Sequence, residues 1–132
     1  MSHPPSAEGI VLVDFDGTLF PWGQLFNIGT PLPGAAEGVR ALKDDGYTIG
    51  IFTSRLSATW HRAEGRDPEK EAVRHTRLIA AACVEHGIPF DFITAEKVPA
   101  VLYLDDKAMR VNEERGLDMA VLAFLEKGDA AL

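Results

Sequence analysis

The stretch Ile10-Val11-Leu12-Val13-Asp14-Phe15-Asp16-Gly17-Thr18-Leu19 constrains this chain more than any other. Its first four residues are apolar, three of them β-branched, with no polar position among them. That pattern reads as a strand buried on both faces, as in parallel sheets covered by helices. Two carboxylates, Asp14 and Asp16, follow at its C-terminal end, and Gly17 breaks it. Residues i and i+2 of an extended chain point to the same side, so both acids face one spot if the chain is still extended there. Open α/β sheets place their ligand crevice at the carboxyl ends of the strands. Crowded carboxylates are costly unless a cation or a shared proton relieves them. The stretch therefore points to a metal-assisted or acid/nucleophile site, with a plain Asp-Gly turn as the alternative.

The rest of the chain reads as strands separated by helices. Residues 20–33 carry Pro21, Gly23, Gly29, Pro31 and Pro33 and form a loop. Its Trp22, Leu25 and Phe26 either fold over the site as a small lid or pin the loop to the core. Helical spacing of Ala35, Val39 and Leu42 predicts a helix over 35–45, with Gly46 as its C-cap. A strand over 47–52 ends in Thr53-Ser54-Arg55. Residues 56–65 read as irregular and polar. Asp67-Pro68 starts a long helix that Gly87 stops. A short strand follows over 90–93, and a second, expected to be buried, over 99–104, ending in Asp105-Asp106. A last helix over 118–127 is expected to turn Leu117, Val121, Phe124 and Leu125 inward. This order predicts an α/β fold, a central parallel sheet with helices on both faces. The expected organisation is a flexible leader over 1–8, a single domain over 9–128 and a frayed end over 129–132.

A chain of 132 residues suits one core. Its net charge of −7 argues against nucleic acid or an anionic membrane surface as the main partner. It leaves room for a phosphorylated small molecule held in a local positive pocket. Cys83 is the lone cysteine, so no disulfide framework forms within the chain, and it reads as a small buried hydrophobe. No apolar run approaches the roughly 20 residues of a membrane span. The first residues lack the pattern of a signal peptide, so the expected location is the cytoplasm.

Three strand ends carry chemistry: Asp14 with Asp16, Thr53 with Ser54, and Asp105 with Asp106. Lys97 lies just before the last of these strands. Acids from two parallel strands can converge on a hard cation such as Mg²⁺, which takes oxygen ligands. A hydroxyl and an ammonium suit the free oxygens of a phosphate. In this order and spacing the chain resembles the haloacid dehalogenase-like (HAD) superfamily. Asp14-Phe15-Asp16-Gly17-Thr18 matches that superfamily's first motif and Ile49-Gly50-Ile51-Phe52-Thr53 its second. Lys97 matches the third, and Val101-Leu102-Tyr103-Leu104-Asp105-Asp106 the fourth.

The resemblance implies a three-layer Rossmann-like fold and a Mg²⁺-dependent phosphohydrolase acting on a phosphate monoester. Under it, Asp14 is the nucleophile that forms an aspartyl-phosphate, and Asp16 protonates the leaving alcohol and then deprotonates water. The Asp14 carboxylate, the Asp16 backbone carbonyl and Asp106 hold the metal, with Asp105 in support. Thr53, or Ser54 in its place, and Lys97, or Lys107 or Arg55 in its place, hold the phosphoryl oxygens. Arg55, His61, Arg62 and Arg66 follow the second strand and could recognise the rest of an anionic substrate. His75 and His86 read as solvent-facing. The superfamily often carries a cap domain, but neither gap here is long enough for one. A capless member accepts large substrates or is roofed by a neighbouring subunit, which makes a homo-oligomer, a dimer or tetramer, an expected partner state. A HAD-like phosphate-binding or regulatory module without turnover is the alternative function.

Overall fold

The computed structural model describes residues 9–23, 26–114 and 116–127. The expected leader over 1–8 and the frayed end over 129–132 lie outside them. Strand β1 spans Ile10–Asp14, α1 Ala35–Asp44, β2 Thr48–Phe52, α2 Ala58–Ala63 and α3 Pro68–Glu85. Strand β3 covers Phe92–Thr94, β4 Leu102–Leu104 and α4 Leu117–Lys127. The strands form a four-stranded, all-parallel sheet in the order β3-β2-β1-β4. Strand β1 lies inside the sheet, as its apolar run demands: Ile10, Leu12 and the two valines are each at least 96 % buried.

One face of the sheet carries the core. Val11 and Val13 stand in register with Ile49 and Ile51. Together they meet Ala36 and Val39 of α1 and Ile79, Ala82 and Cys83 of α3. Burial pushes the Cys83 thiol up to about 11, as befits an inert packing residue. On the opposite face Gly50 is required by crowding. A Cβ there would lie 2.4 Å from the Phe92 ring and 2.6 Å from a Leu12 methyl carbon. Asp67 caps α3 by accepting from the Glu69 and Lys70 amides, with Pro68 in the first turn.

Three expectations are corrected by the structure. Residues 58–63 are helical: Ser57 supplies an N-cap by accepting from the Trp60 amide, a signal hidden in a polar stretch. The last helix does not turn Leu117, Val121, Phe124 and Leu125 inward. All four are exposed and Ala120 is the buried residue. Apolar side chains lie on every side of α4, so periodicity could not select its inner face. Strand β4, expected to be buried, is an edge strand that exposes Leu102 and Tyr103. The described residues thus give an α/β chain with a parallel sheet.

Candidate active site

The acids of the two adjacent strand ends converge. Asp14 closes β1, and Asp105 and Asp106 follow β4, which pairs with β1 in parallel. One carboxylate oxygen from each of Asp14, Asp105 and Asp106 lies within 4.8 Å of the others. This crowding has an electrostatic price. Burial, the Asp105 charge and a hydrogen bond to Asp106 raise Asp14 from 3.8 to about 7. Three hard oxygen donors that repel one another fit a divalent cation such as Mg²⁺, which would remove the repulsion.

The space for this cluster comes from Gly17. Its φ is +86°, and a Cβ on it would sit 2.3 Å from Asp106 Oδ2 and 2.6 Å from Trp22 Nε1. The Asp106 carboxylate thus packs on bare backbone. The Trp22 indole N–H donates to Asp106 Oδ2 at 3.1 Å, which anchors the loop after β1 at the acids. Lys107 lies over the Trp22 ring, its Nζ 4.2 Å from the centroid. The sequence marks Trp22 as a residue that folds over the site or pins its loop, but it does not give Asp106 as the partner or Lys107 as the cation on its ring.

Asp16 does not join the triad. The chain leaves extended geometry after Asp14 and turns back, with Gly17, Leu19 and Phe20 tied into a tight loop by backbone hydrogen bonds. The i, i+2 rule therefore lapses, and the Asp16 carboxylate points to Arg55. Arg55 Nε donates to Oδ2 and Nη2 to Oδ1, both at 2.8 Å, a bidentate fork between two buried side chains. Arg55 also lies over the Phe15 ring.

Arg55 and His61, expected to reach a substrate, are instead buried. The His61 Nδ1 accepts from Arg66 Nε at 2.9 Å, which leaves Nε2–H to donate to the Arg55 carbonyl at 2.6 Å. His61 thus steadies the turn that carries Arg55. His75 is fully buried rather than solvent-facing. It stacks on His61 and on Phe26, and its Nε2 lies 3.5 Å from Glu71 Oε2. Burial, helped by the Arg55 charge, holds His75 below its ordinary value. Arg62 is exposed on α2, and the Arg66 guanidinium lies over the Trp60 ring.

Thr53 is buried at the end of β2, one residue past the Phe52 that pairs with Asp14. Its Oγ accepts the Arg55 amide at 3.1 Å, so the hydroxyl proton is not spent on that bond. Ser54 is exposed in the 3₁₀ turn over Ser54–Leu56. Lys97 is exposed in the β3–β4 connection, with Nζ 5.0 Å from the centre of the Tyr103 ring. It shares with Asp14, Asp105 and Tyr103 a cavity of about 750 Å³ floored by Leu12, Phe52 and Leu104.

The molecule is thus an α/β chain with a parallel sheet whose strand ends present a carboxylate triad. No family model, curated protein or solved structure matches the chain. None of its helices, among the described residues, is long and apolar enough to cross a membrane.

Proposed function

We propose that the chain is a HAD-like phosphohydrolase with a three-layer Rossmann-like fold, cleaving a phosphate monoester in the presence of Mg²⁺. The observation that carries the reading is the Asp14, Asp105 and Asp106 triad at adjoining parallel strand ends, with Lys97 lining the same cavity as Asp14 and Asp105. Those three acids would hold Mg²⁺, which supplies positive charge against the phosphoryl oxygens. An Asp14 oxygen attacks phosphorus as the bond to the leaving alcohol breaks. Asp16 gives that alcohol its proton. Water then attacks the aspartyl-phosphate, Asp16 takes the water's proton, and Asp14 is freed. Thr53 or Ser54 and Lys97 bind the transferring oxygens. For the acid step Asp16 has to leave the Arg55 fork, because a carboxylate engaged at both oxygens by N–H donors is an acceptor only. The reading includes a phosphorylated small-molecule substrate, a cytoplasmic setting and a homo-oligomeric form.

That same fork favours a second reading, a phosphate-binding or regulatory module without turnover, in which Asp16 stays paired with Arg55. Hydrolysis of p-nitrophenyl phosphate separates the two. The enzyme reading expects Mg²⁺-dependent release that Asp14→Asn abolishes. Folded, Mg²⁺-loaded protein inert toward this and a panel of other phosphomonoesters supports the binding module.

A further inference from the structure

Beside the acids the molecule exposes aromatic rings that it could have buried. Trp22 is 58 % exposed although its indole N–H is fixed to Asp106. A tryptophan left in water forgoes a large burial gain, so a ring tethered by its edge and open on its surface is a platform in want of a cover. Lys107 lies over one face of that ring and supplies a cation behind whatever stacks on the other face. A second such pair, Tyr103 with Lys97, lies on the cavity side, where the Tyr103 hydroxyl donates to the Val98 carbonyl at 2.8 Å. These cations sit at the acids of a protein whose net charge is −7, where an anion needs them most.

We propose that the substrate is a nucleoside monophosphate, with its phosphate at the triad and its base stacked on Trp22. The inference rests on the phosphohydrolase reading and names the leaving group for it. Every base has a π-face, and exposed aromatic rings flanked by cations are how proteins hold bases without reading their edges. A simple aryl phosphate does not reach this platform, because its ring is bonded directly to the phosphate oxygen. A base is separated from the phosphate by a sugar, as the Trp22 ring is separated from Asp14 by the Asp106 carboxylate. Lys107 covers one face of the ring, so the base stacks on the opposite face. Trp22 is in this account the residue that sets specificity, and Asp14 keeps the chemistry.

The test compares adenosine monophosphate with ribose 5-phosphate, the same alkyl phosphate without a base, as a ratio of kcat/KM in Mg²⁺. Stacking of one base predicts a ratio of about tenfold to a hundredfold in the parent protein. Trp22→Leu collapses that ratio through KM, whereas Trp22→Phe, which keeps a ring, retains most of it. Tyr103→Leu leaves the ratio in place. A parent ratio near one, or a ratio that survives in Trp22→Leu, overturns the proposal. So does a ratio that falls in Tyr103→Leu instead. Failure of the phosphohydrolase reading is visible separately, as absence of turnover on any phosphomonoester including p-nitrophenyl phosphate. In that event binding decides. In a Trp60→Phe background, quenching of Trp22 emission by adenosine monophosphate and not by ribose 5-phosphate upholds the stacking site, and equal or absent quenching overturns it.

Discussion

Asp14 and Asp16 stand two residues apart and occupy opposite environments. Asp14 shares a partly open cluster with two other acids and is pushed up to about 7 by burial and by their presence. Asp16 is buried, and both its oxygens are satisfied by a single buried guanidinium. One carboxylate is short of positive charge and the other has all it can use. The contrast teaches that a motif's spacing delivers groups to a region without fixing their partners. A cation would be drawn to the unsatisfied acid. The satisfied acid moves only in exchange for something, which makes Arg55 the residue that decides whether Asp16 can act.

Breaking the Asp14 side has the largest expected effect. Asp14→Asn lowers turnover of p-nitrophenyl phosphate at least about a thousandfold while circular dichroism shows an intact fold. Activity within tenfold of the parent removes Asp14 from the nucleophile's role. On the Asp16 side the damage falls on stability first. Arg55→Met strands a buried carboxylate, and urea denaturation should show a loss of about 3–5 kcal/mol. A loss under about 1 kcal/mol would mean that the fork is replaced by water at little cost. Asp16→Asn sharpens the comparison through chemistry. It slows alkyl phosphates about a hundredfold and aryl phosphates, whose leaving groups need less protonation, far less. Equal losses on both classes exclude Asp16 as the acid.

The smallest effect is a pH dependence. With Asp14 at about 7 in the folded state and 3.8 as its ordinary value, the folded chain holds the proton more tightly. Below about pH 4 both states are protonated and the group is neutral for stability. As pH rises from about 4 to 7 the unfolded state ionises first, so stability falls, and the penalty is complete above about pH 7. Asp14→Asn has no such penalty. Its Tm relative to the parent should therefore climb between pH 5 and pH 8, by about 4 °C for each kcal/mol relieved. Mg²⁺ added at pH 8 should close part of that gap by stabilising the parent. A constant gap across this range would show that burial and the neighbouring acids do not raise Asp14 in solution.

Much of the fold was legible because it rests on local apolar pattern. The run before Asp14 predicted a strand buried on both faces, and Asp67-Pro68 predicted the start of α3 to the residue. The convergence of Asp14 with the Asp105-Asp106 pair was legible too, since Asp14 closes one recognisable strand and the pair follows another. The Asp16–Arg55 fork was not, because it joins residues 39 apart across a turn that ends the period-two rule at Asp14. Burial of His61 and His75 was hidden for a related reason. Polar residues reveal their burial only through partners such as Arg66 and the Arg55 carbonyl, which periodicity does not report. The faces of α4 were unreadable because its apolar residues surround the helix.

The central claim is that Asp14, beside a cation held with Asp105 and Asp106, accepts a phosphoryl group. Fluorine NMR of the protein mixed with beryllium fluoride and Mg²⁺ tests it most directly, since beryllofluoride mimics a phosphoryl group on a carboxylate. The account predicts a bound beryllofluoride signal that requires Mg²⁺, weakens in Asp106→Asn and disappears in Asp14→Asn. A bound signal that persists in Asp14→Asn, or that forms equally well without Mg²⁺, would contradict it.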